Sequence, residues 1–403
     1  MKKKSSVKKI KSPPAPVKKR AMNAASANKK FFSKPVMIVA GEHSGDLLGS
    51  DIVRALKKKG ADRFFGTGGD RMAKEGVELT ETIENMSVMG FVEVFRVYRK
   101  LKALALKLAD QAEQNKTRIA VLVDYPGFNL RLAEMLKAKG IKVVFLVSPQ
   151  IWAWRYGRIK HIKKVVDLML VLFPFEKDIY DREGVNCELI GHPLVRRIPE
   201  LLKSETPVKK IPGITVGLLP GSRRSEILRH MTPMLDAAVL IQKKFEKIRF
   251  LVPCADASLR EHIEKELSLH KNLKVEVYDG NSLSVMEASN LLILSSGTAT
   301  LEGAYFKKPM IVIYSVKWIN FLIASIVARV RFVGLVNILA RKQVALELLQ
   351  KEITPENIAS EAVRILTNKK YRENITSELD FVVSQLGKGN PALKAADSII
   401  RNF

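Results

Sequence analysis

Short apolar runs that end in glycine- or hydroxyl-rich turns recur along the chain. Val36 to Ala40 is five apolar residues without a break, the pattern of a strand buried on both faces. It runs into Gly41-Glu42-His43-Ser44-Gly45-Asp46, and a helix is predicted from about Leu47 to Lys59. Phe64-Phe65 leads into Gly66-Thr67-Gly68-Gly69, and residues 119–123, 143–147, 168–173 and 188–190 predict further strands with helical stretches between them. Such alternation predicts a parallel α/β sheet with helices on both faces. Residues 196–213 are charged and carry Pro199, Pro207 and Pro212, so they read as an interdomain linker. The pattern then restarts. A strand at 214–219 ends in Pro220-Gly221-Ser222-Arg223, a helix follows from about Ser225, and 249–252, 275–278, 291–294 and 310–314 predict later strands. Two doubly wound α/β domains facing a central cleft are the simplest architecture.

Charge changes the picture at one end. Of 403 residues, 68 are Lys or Arg and 41 Asp or Glu, a net charge of +27. Residues 1–34 hold twelve of the cations and no acid, which leaves a net +15 on 35–403. This tail is expected to be disordered, and it lacks the apolar centre of a secretory signal. It is either a solvated tail or an electrostatic attachment to anionic lipid. Two cysteines, Cys187 and Cys254, exclude a disulfide-stapled scaffold and a four-cysteine zinc site. The uncharged part of the apolar segment Trp318 to Ala328 is far short of the ~20 residues a membrane span needs. A cytoplasmic protein, peripheral to a membrane, is expected.

Several strand exits carry candidate chemistry. The Gly41–Asp46 loop opens a helix and can seat an anion, or is only a tight turn. It has neither the Walker nor the dinucleotide glycine spacing. In the second half, Gly221 allows close backbone approach, Ser222 offers a hydroxyl, and Arg223 can make a bidentate phosphate contact. Ser295-Ser296-Gly297-Thr298 followed by Glu302 repeats that logic, with Glu302 placed to accept two ribose hydroxyls. Each loop singly could be capping; together they favour a nucleotide-sugar site. Asp124, at the end of the 119–123 strand, is a candidate general base or a turn cap. Trp152 and Trp154 could stack on a sugar or cover a sheet edge. His192 could bond a diphosphate or be structural. The six histidines lack metal-ligand spacing and there is no Asp-x-Asp pair, so neither a metal nor another cofactor is expected. Residues 87–108 and 318–342 mix apolar and cationic positions, as membrane-surface helices or ordinary core-facing helices do. No nucleic-acid-binding motif is present, so nucleic acid is not an expected partner.

GEHSGD at 41–46, SVMGFVEV at 87–94, DYPGFN at 124–129, SPQIWAWRYGRIKHI at 148–162, FPFEKDIY at 173–180, GHPL at 191–194, LPGSRRSEI at 219–227, SSGTATLE at 295–302 and ELLQ at 347–350 occur in that order. Over about 36–370 the chain resembles the lipid-A-disaccharide synthases. The resemblance implies the GT-B architecture of two Rossmann-like domains. The disordered basic tail 1–34 would precede an acceptor- and lipid-binding domain at 35–195. The linker at 196–213 would lead to a UDP-sugar domain at 214–370, and C-terminal helices at 371–403 are placed to pack back on the first domain.

The activity implied is inverting transfer from UDP-2,3-diacylglucosamine to 2,3-diacylglucosamine 1-phosphate, giving UDP and a β-1,6-linked disaccharide 1-phosphate. By the same resemblance Asp124 and Arg223 are the catalytic candidates. Gly221, Ser222, Ser296, Gly297, Thr298, Glu302 and His192 would bind the UDP-sugar. Glu42, Ser44, Gly45, Asp46, Asn129 and Trp152 would line the donor and acceptor cleft. Met89, Phe91, Val92, Val94 and Phe95 would contact acyl chains and the anionic inner-membrane surface from the cytoplasmic side. An oligomer is compatible with the sequence. The chain departs from the family pattern at His43, Gly127, Arg341-Lys342 and Leu346, and the tail has no family counterpart.

Overall fold

The computed structural model describes residues 32–86, 94–316 and 331–403, with the backbone alone for 94–97. Two all-parallel sheets organise it. The first contains β1 (Val36–Ala40), β2 (Phe64–Gly68), β3 (Val77–Thr82), β4 (Ile119–Val123), β5 (Lys142–Leu146), β6 (Leu168–Val171) and β7 (Cys187–Leu189) in the order β3-β2-β1-β4-β5-β6-β7. The second contains β8 (Ile214–Leu219), β9 (Ile248–Cys254), β10 (Val275–Asp279), β11 (Leu291–Ser295), β12 (Met310–Tyr314) and β13 (Leu346–Leu349) in the order β10-β9-β8-β11-β12-β13. The predicted fold class is thus the fold observed, with β3 and β13 added at sheet edges.

The central strands form where they do because their runs are apolar on both faces. β1, β4 and β11 are buried at every position. Parallel strands need helical crossovers, and those helices cover both faces. The order reverses between β1 and β4 in the first sheet, and between β8 and β11 in the second. Ala40 pairs with Val123 and Leu219 with Leu294, so in each sheet two loops leave neighbouring carboxyl ends at the reversal point. That is where doubly wound sheets place ligands.

The chain packs as two compact units. One comprises the described residues up to Leu146 with Val165–Leu168 and Ala392–Phe403; the other comprises Val147–Lys164 and Met169–Pro391. In the first, Phe32 is already buried and Arg63 donates to the Ser33 carbonyl at 2.8 Å, while Lys59 pairs with Asp397 at 2.5 Å. In the second, the proline-bearing stretch after β7 is partly helical (Leu194–Leu202), and Val208 is buried against Leu251 and Val285. Among the described residues no helix is long and apolar enough to cross a membrane.

Candidate functional site

At the β1/β4 reversal the backbone is strained. Asp124 and Tyr125 both have φ of 48°, in the left-handed region that side chains with a Cβ disfavour. Asn129, on the following helix Pro126–Ala138, holds this turn. Its buried Nδ2 donates to the Asp124 carbonyl at 2.7 Å and the Val123 carbonyl at 3.2 Å. The Asp124 N–H donates to the Leu146 carbonyl at 2.8 Å. The Tyr125 ring lies over Gly41, where a Cβ would sit 2.3 Å from it, so only glycine lets the β1 loop pass. Its hydroxyl donates to the Met86 carbonyl at 3.3 Å.

The turn presents one carboxyl with altered acidity. Burial and the neighbouring Glu42 charge push Asp124 up to about 6, against a smaller opposing pull from the Tyr125 N–H. Burial and Glu42 also push the Tyr125 phenol up. Glu42 is exposed and accepts the Ser44 hydroxyl at 2.6 Å. Asp46 faces a different task. It is 3% exposed and its oxygens accept the N–H groups of Gly69, Met72 and Arg71 at 2.7, 3.0 and 3.2 Å, tying the helix His43–Lys58 to the start of Asp70–Lys74. Gly45 is buried where that helix crosses the ends of β1 and β4.

At the β8/β11 reversal lies a cavity of about 520 Å³, lined by Gly221, Ser222, Arg223, Glu226, Ser296, Gly297, Thr298 and Glu302 among others. The sequence-predicted residues of this half therefore share one pocket. Gly221 has φ +126°, and a Cβ there would meet the Glu226 carboxylate at 2.4 Å. Glu226, in the first turn of the helix Arg224–Gln242, accepts the N–H groups of Ser222 (2.9 Å) and Arg223 (3.2 Å) and a guanidinium N–H of Arg223 (2.8 Å). Arg223 itself is 76% exposed. On the opposite loop the Ser296 hydroxyl donates to the Val333 carbonyl at 3.0 Å. Gly297 and Thr298 are exposed, and the N–H groups of Thr298 and Ala299 have no acceptor among the described residues. Burial, with a smaller contribution from Glu205, pushes the Glu302 carboxyl up. A carboxyl disfavoured as a bare anion gains from hydroxyl donors.

Two histidines of this unit have assigned ring protons, and one of them braces the first of these loops. His230 is 1% exposed; its Nε2 accepts the Ser315 N–H at 3.1 Å, so Nδ1 carries the proton given to the Pro220 carbonyl at 2.8 Å. It ties the Pro220–Arg223 loop to the exit of β12, and a lone helical histidine gave no such signal in the sequence. His192 stacks on Phe173 (5.4 Å, 17°), and its Nδ1 accepts the Leu194 N–H at 3.2 Å, which places its proton on Nε2. Burial, then the Arg197 charge, lowers it to about 4. Trp152 is fixed by Glu176, which accepts its Nε1–H at 3.3 Å, and by an edge contact with Phe175. Met89, Phe91 and Val92 lie outside the described residues; Val94 and Phe95 open the helix Val94–Gln114.

Comparison with known proteins accords with this geometry. The chain is 37% identical over 369 residues to a lipid-A-disaccharide synthase of Anaeromyxobacter dehalogenans, covering 91% of this chain and 96% of that one. It is 38% identical over 380 residues to that of Coxiella burnetii, covering 92% and 99%. Among solved structures, a UDP-GlcNAc 2-epimerase from Neisseria meningitidis bound to UDP-GlcNAc superposes with a TM-score of 0.58 at 12% identity, covering 91% and 98%. A glycosyltransferase from Rickettsia africae does so with 0.52 at 13%, covering 91% and 98%. At such identities these two show the GT-B fold alone. The family model for lipid-A-disaccharide synthetase matches residues 36–395, and the chain belongs to that family of glycosyltransferases.

Proposed function

We propose that the chain transfers 2,3-diacylglucosamine from UDP-2,3-diacylglucosamine to the 6-hydroxyl of 2,3-diacylglucosamine 1-phosphate, with inversion, releasing UDP. The observation that carries this reading is Asp124: a carboxyl held in strained backbone at a sheet reversal, with its pKa raised to about 6. Such a group is about nine-tenths ionised at pH 7, yet is a stronger base than an ordinary carboxylate. Asp124 takes the proton of the attacking hydroxyl. The hydroxyl oxygen bonds to the anomeric carbon as the bond to the UDP oxygen breaks. Charge then grows on the diphosphate, where Arg223, the Ser222 hydroxyl and the loop at Gly297-Thr298 stabilise it. Glu302 accepts the ribose hydroxyls, and the Nε2–H of His192 donates to the diphosphate. The reaction requires both sets of groups at one anomeric carbon.

The substrates named are lipids, and the surface of the helix Val94–Gln114 suits a cytoplasmic, peripheral seat on the inner membrane. Tyr98 and Leu106 are exposed beside Arg99, Lys100, Lys102 and Lys107. Contact with anionic lipid through this face, and through the basic tail, belongs to the same reading. The experiment is UDP release from UDP-2,3-diacylglucosamine, with and without the 1-phosphate acceptor and with a chelator present. Acceptor-dependent release with disaccharide formation is expected. Donor consumption without acceptor, yielding an epimer or free sugar, would overturn the reading.

A further inference from the structure

The loop that leaves the carboxyl end of β5, the strand beside β4, carries two unpaired cations on one aromatic ring. Trp154 is 40% exposed. The guanidinium carbon of Arg155 lies 4.4 Å from its ring centre, and that of Arg158 lies 5.5 Å from the same centre. Neither guanidinium has a carboxylate partner among the described residues. Arg155 takes left-handed backbone (φ 58°, ψ 42°) at the entry to the 3-10 turn Tyr156–Arg158. The loop is anchored from within: Trp152 is bonded to Glu176, the Ser148 hydroxyl lies 3.0 Å from the Tyr180 hydroxyl, and Tyr156 donates to Glu183 at 2.7 Å.

Ring stacking accounts for each cation singly, but it leaves two like charges side by side. Burial, then the Arg155 charge, holds Arg158 below the usual guanidinium range. A ligand with two negative charges relieves that repulsion, and guanidinium forks match phosphate oxygens.

We infer that Trp154, Arg155 and Arg158 form a phosphomonoester site that takes the 1-phosphate of the acceptor. This rests on the proposed function, in which the donor brings a diphosphate to the cavity at Arg223 and the acceptor brings a second, separate phosphate. Arg155 and Arg158 bind that group, and Trp154 holds their planes in place.

The test uses the full chain in neutral detergent, with the acceptor and with the same acceptor lacking its phosphate. The double variant Arg155→Gln, Arg158→Gln should raise the KM of the phosphorylated acceptor by about tenfold to a hundredfold, the scale of losing charge-assisted bonds. The KM of the donor and the rate with the dephosphorylated acceptor should stay at wild-type values, which also shows that the variant folds. Equal losses with both acceptors, or a raised donor KM, would overturn the site. Co-sedimentation with phosphatidylglycerol vesicles separates the other source of phosphate: lost vesicle binding with acceptor selectivity intact assigns the arginines to lipid headgroups and overturns the acceptor assignment. Glucosamine 1-phosphate, titrated calorimetrically, is the turnover-free probe. Arginine-dependent binding in a protein that forms no disaccharide would keep the site and sink the reading of function; arginine-independent binding sinks the site.

Discussion

Glu226 grips Arg223: its Oε1 lies 2.8 Å from a guanidinium nitrogen, and its Oε2 accepts the N–H groups of Ser222 and of Arg223 itself. The N–H groups of Ser222 and Arg223 are thus satisfied within the loop and its helix. In the function proposed, a diphosphate in this cavity would meet the outer edge of Arg223 and the Ser222 hydroxyl rather than the N–H groups that Glu226 already holds, and the arginine would carry more of the leaving-group charge than the loop pattern alone implies.

Arg223→Ala should therefore lower kcat by a hundredfold or more, about 3 kcal/mol of barrier, the scale of losing one preorganised donor. Folding should be intact, because the side chain is 76% exposed. Glu226→Gln keeps an acceptor for the loop N–H groups while removing the ion pair, and should cost about tenfold or less. Steady-state UDP release measures both. Near-normal turnover by Arg223→Ala would remove it from the leaving-group role.

Asp124 should trade stability for activity. An acid whose pKa is near 3.8 when unfolded and about 6 when folded lends stability that is complete below the lower value and lost as pH rises through the upper one. At pH 8 the buried charge is a net cost. Asp124→Asn should abolish turnover and raise stability at pH 8 by on the order of 1–2 kcal/mol, allowing for partial exposure of the side chain. In the wild type, kcat/KM should fall as pH drops through 6, because the ionised form is the base in the proposed reaction. A variant that is inactive and also less stable would mark Asp124 as structural.

His230 should act through the Pro220–Arg223 loop. Glutamine can reproduce its one donor and one acceptor; leucine can reproduce neither. UDP affinity should survive in His230→Gln and fall about tenfold in His230→Leu, the worth of the lost bond. Burial lowers the imidazole below its ordinary range. The stability it lends is therefore present above pH 6.5 and lost as pH falls through the depressed folded value, when protonation at Nε2 opposes the Ser315 N–H. The slope of stability against pH in the acid range should flatten in His230→Gln, as read from urea midpoints. An unchanged slope would show that His230 does not titrate with folding.

The interior of both sheets was legible because central parallel strands are continuously apolar: Val36 to Ala40, Ile119 to Val123 and Met310 to Tyr314 need no partner information. The edges were not. β3 (Val77–Thr82) carries Glu78 and Glu81 and buries only Val77 fully, so it lacks a run to see. The pocket residues 221–223 and 296–302 were legible because glycine and hydroxyls after a strand report backbone geometry. Side-chain direction was not: Asp46 has the same local pattern as a ligand residue, yet its oxygens hold Gly69, Arg71 and Met72. Asn129 and His230 act on backbone that is remote in sequence or irregular, and spacing does not encode such bonds.

Asn129 offers the sharpest separation of positioning from binding. Its Nδ2 holds the strained turn at Asp124, while its Oδ1 is buried without a partner among the described residues, a cost kept for a turn that would otherwise relax. Asn129→Ala removes the orphan oxygen with the bond but leaves the Asp124 and Val123 carbonyls without this donor, so a stability loss of about 1–2 kcal/mol is expected. Its effect on the base should be large, since a turn no longer held in left-handed backbone redirects the carboxyl. The expected result is a kcat reduced by a hundredfold or more, with KM for the UDP-sugar near the wild-type value, because the groups proposed to bind UDP sit on other loops. If kcat and the donor KM shift together in proportion to lost stability, Asn129 is a packing residue and the turn needs no such hold.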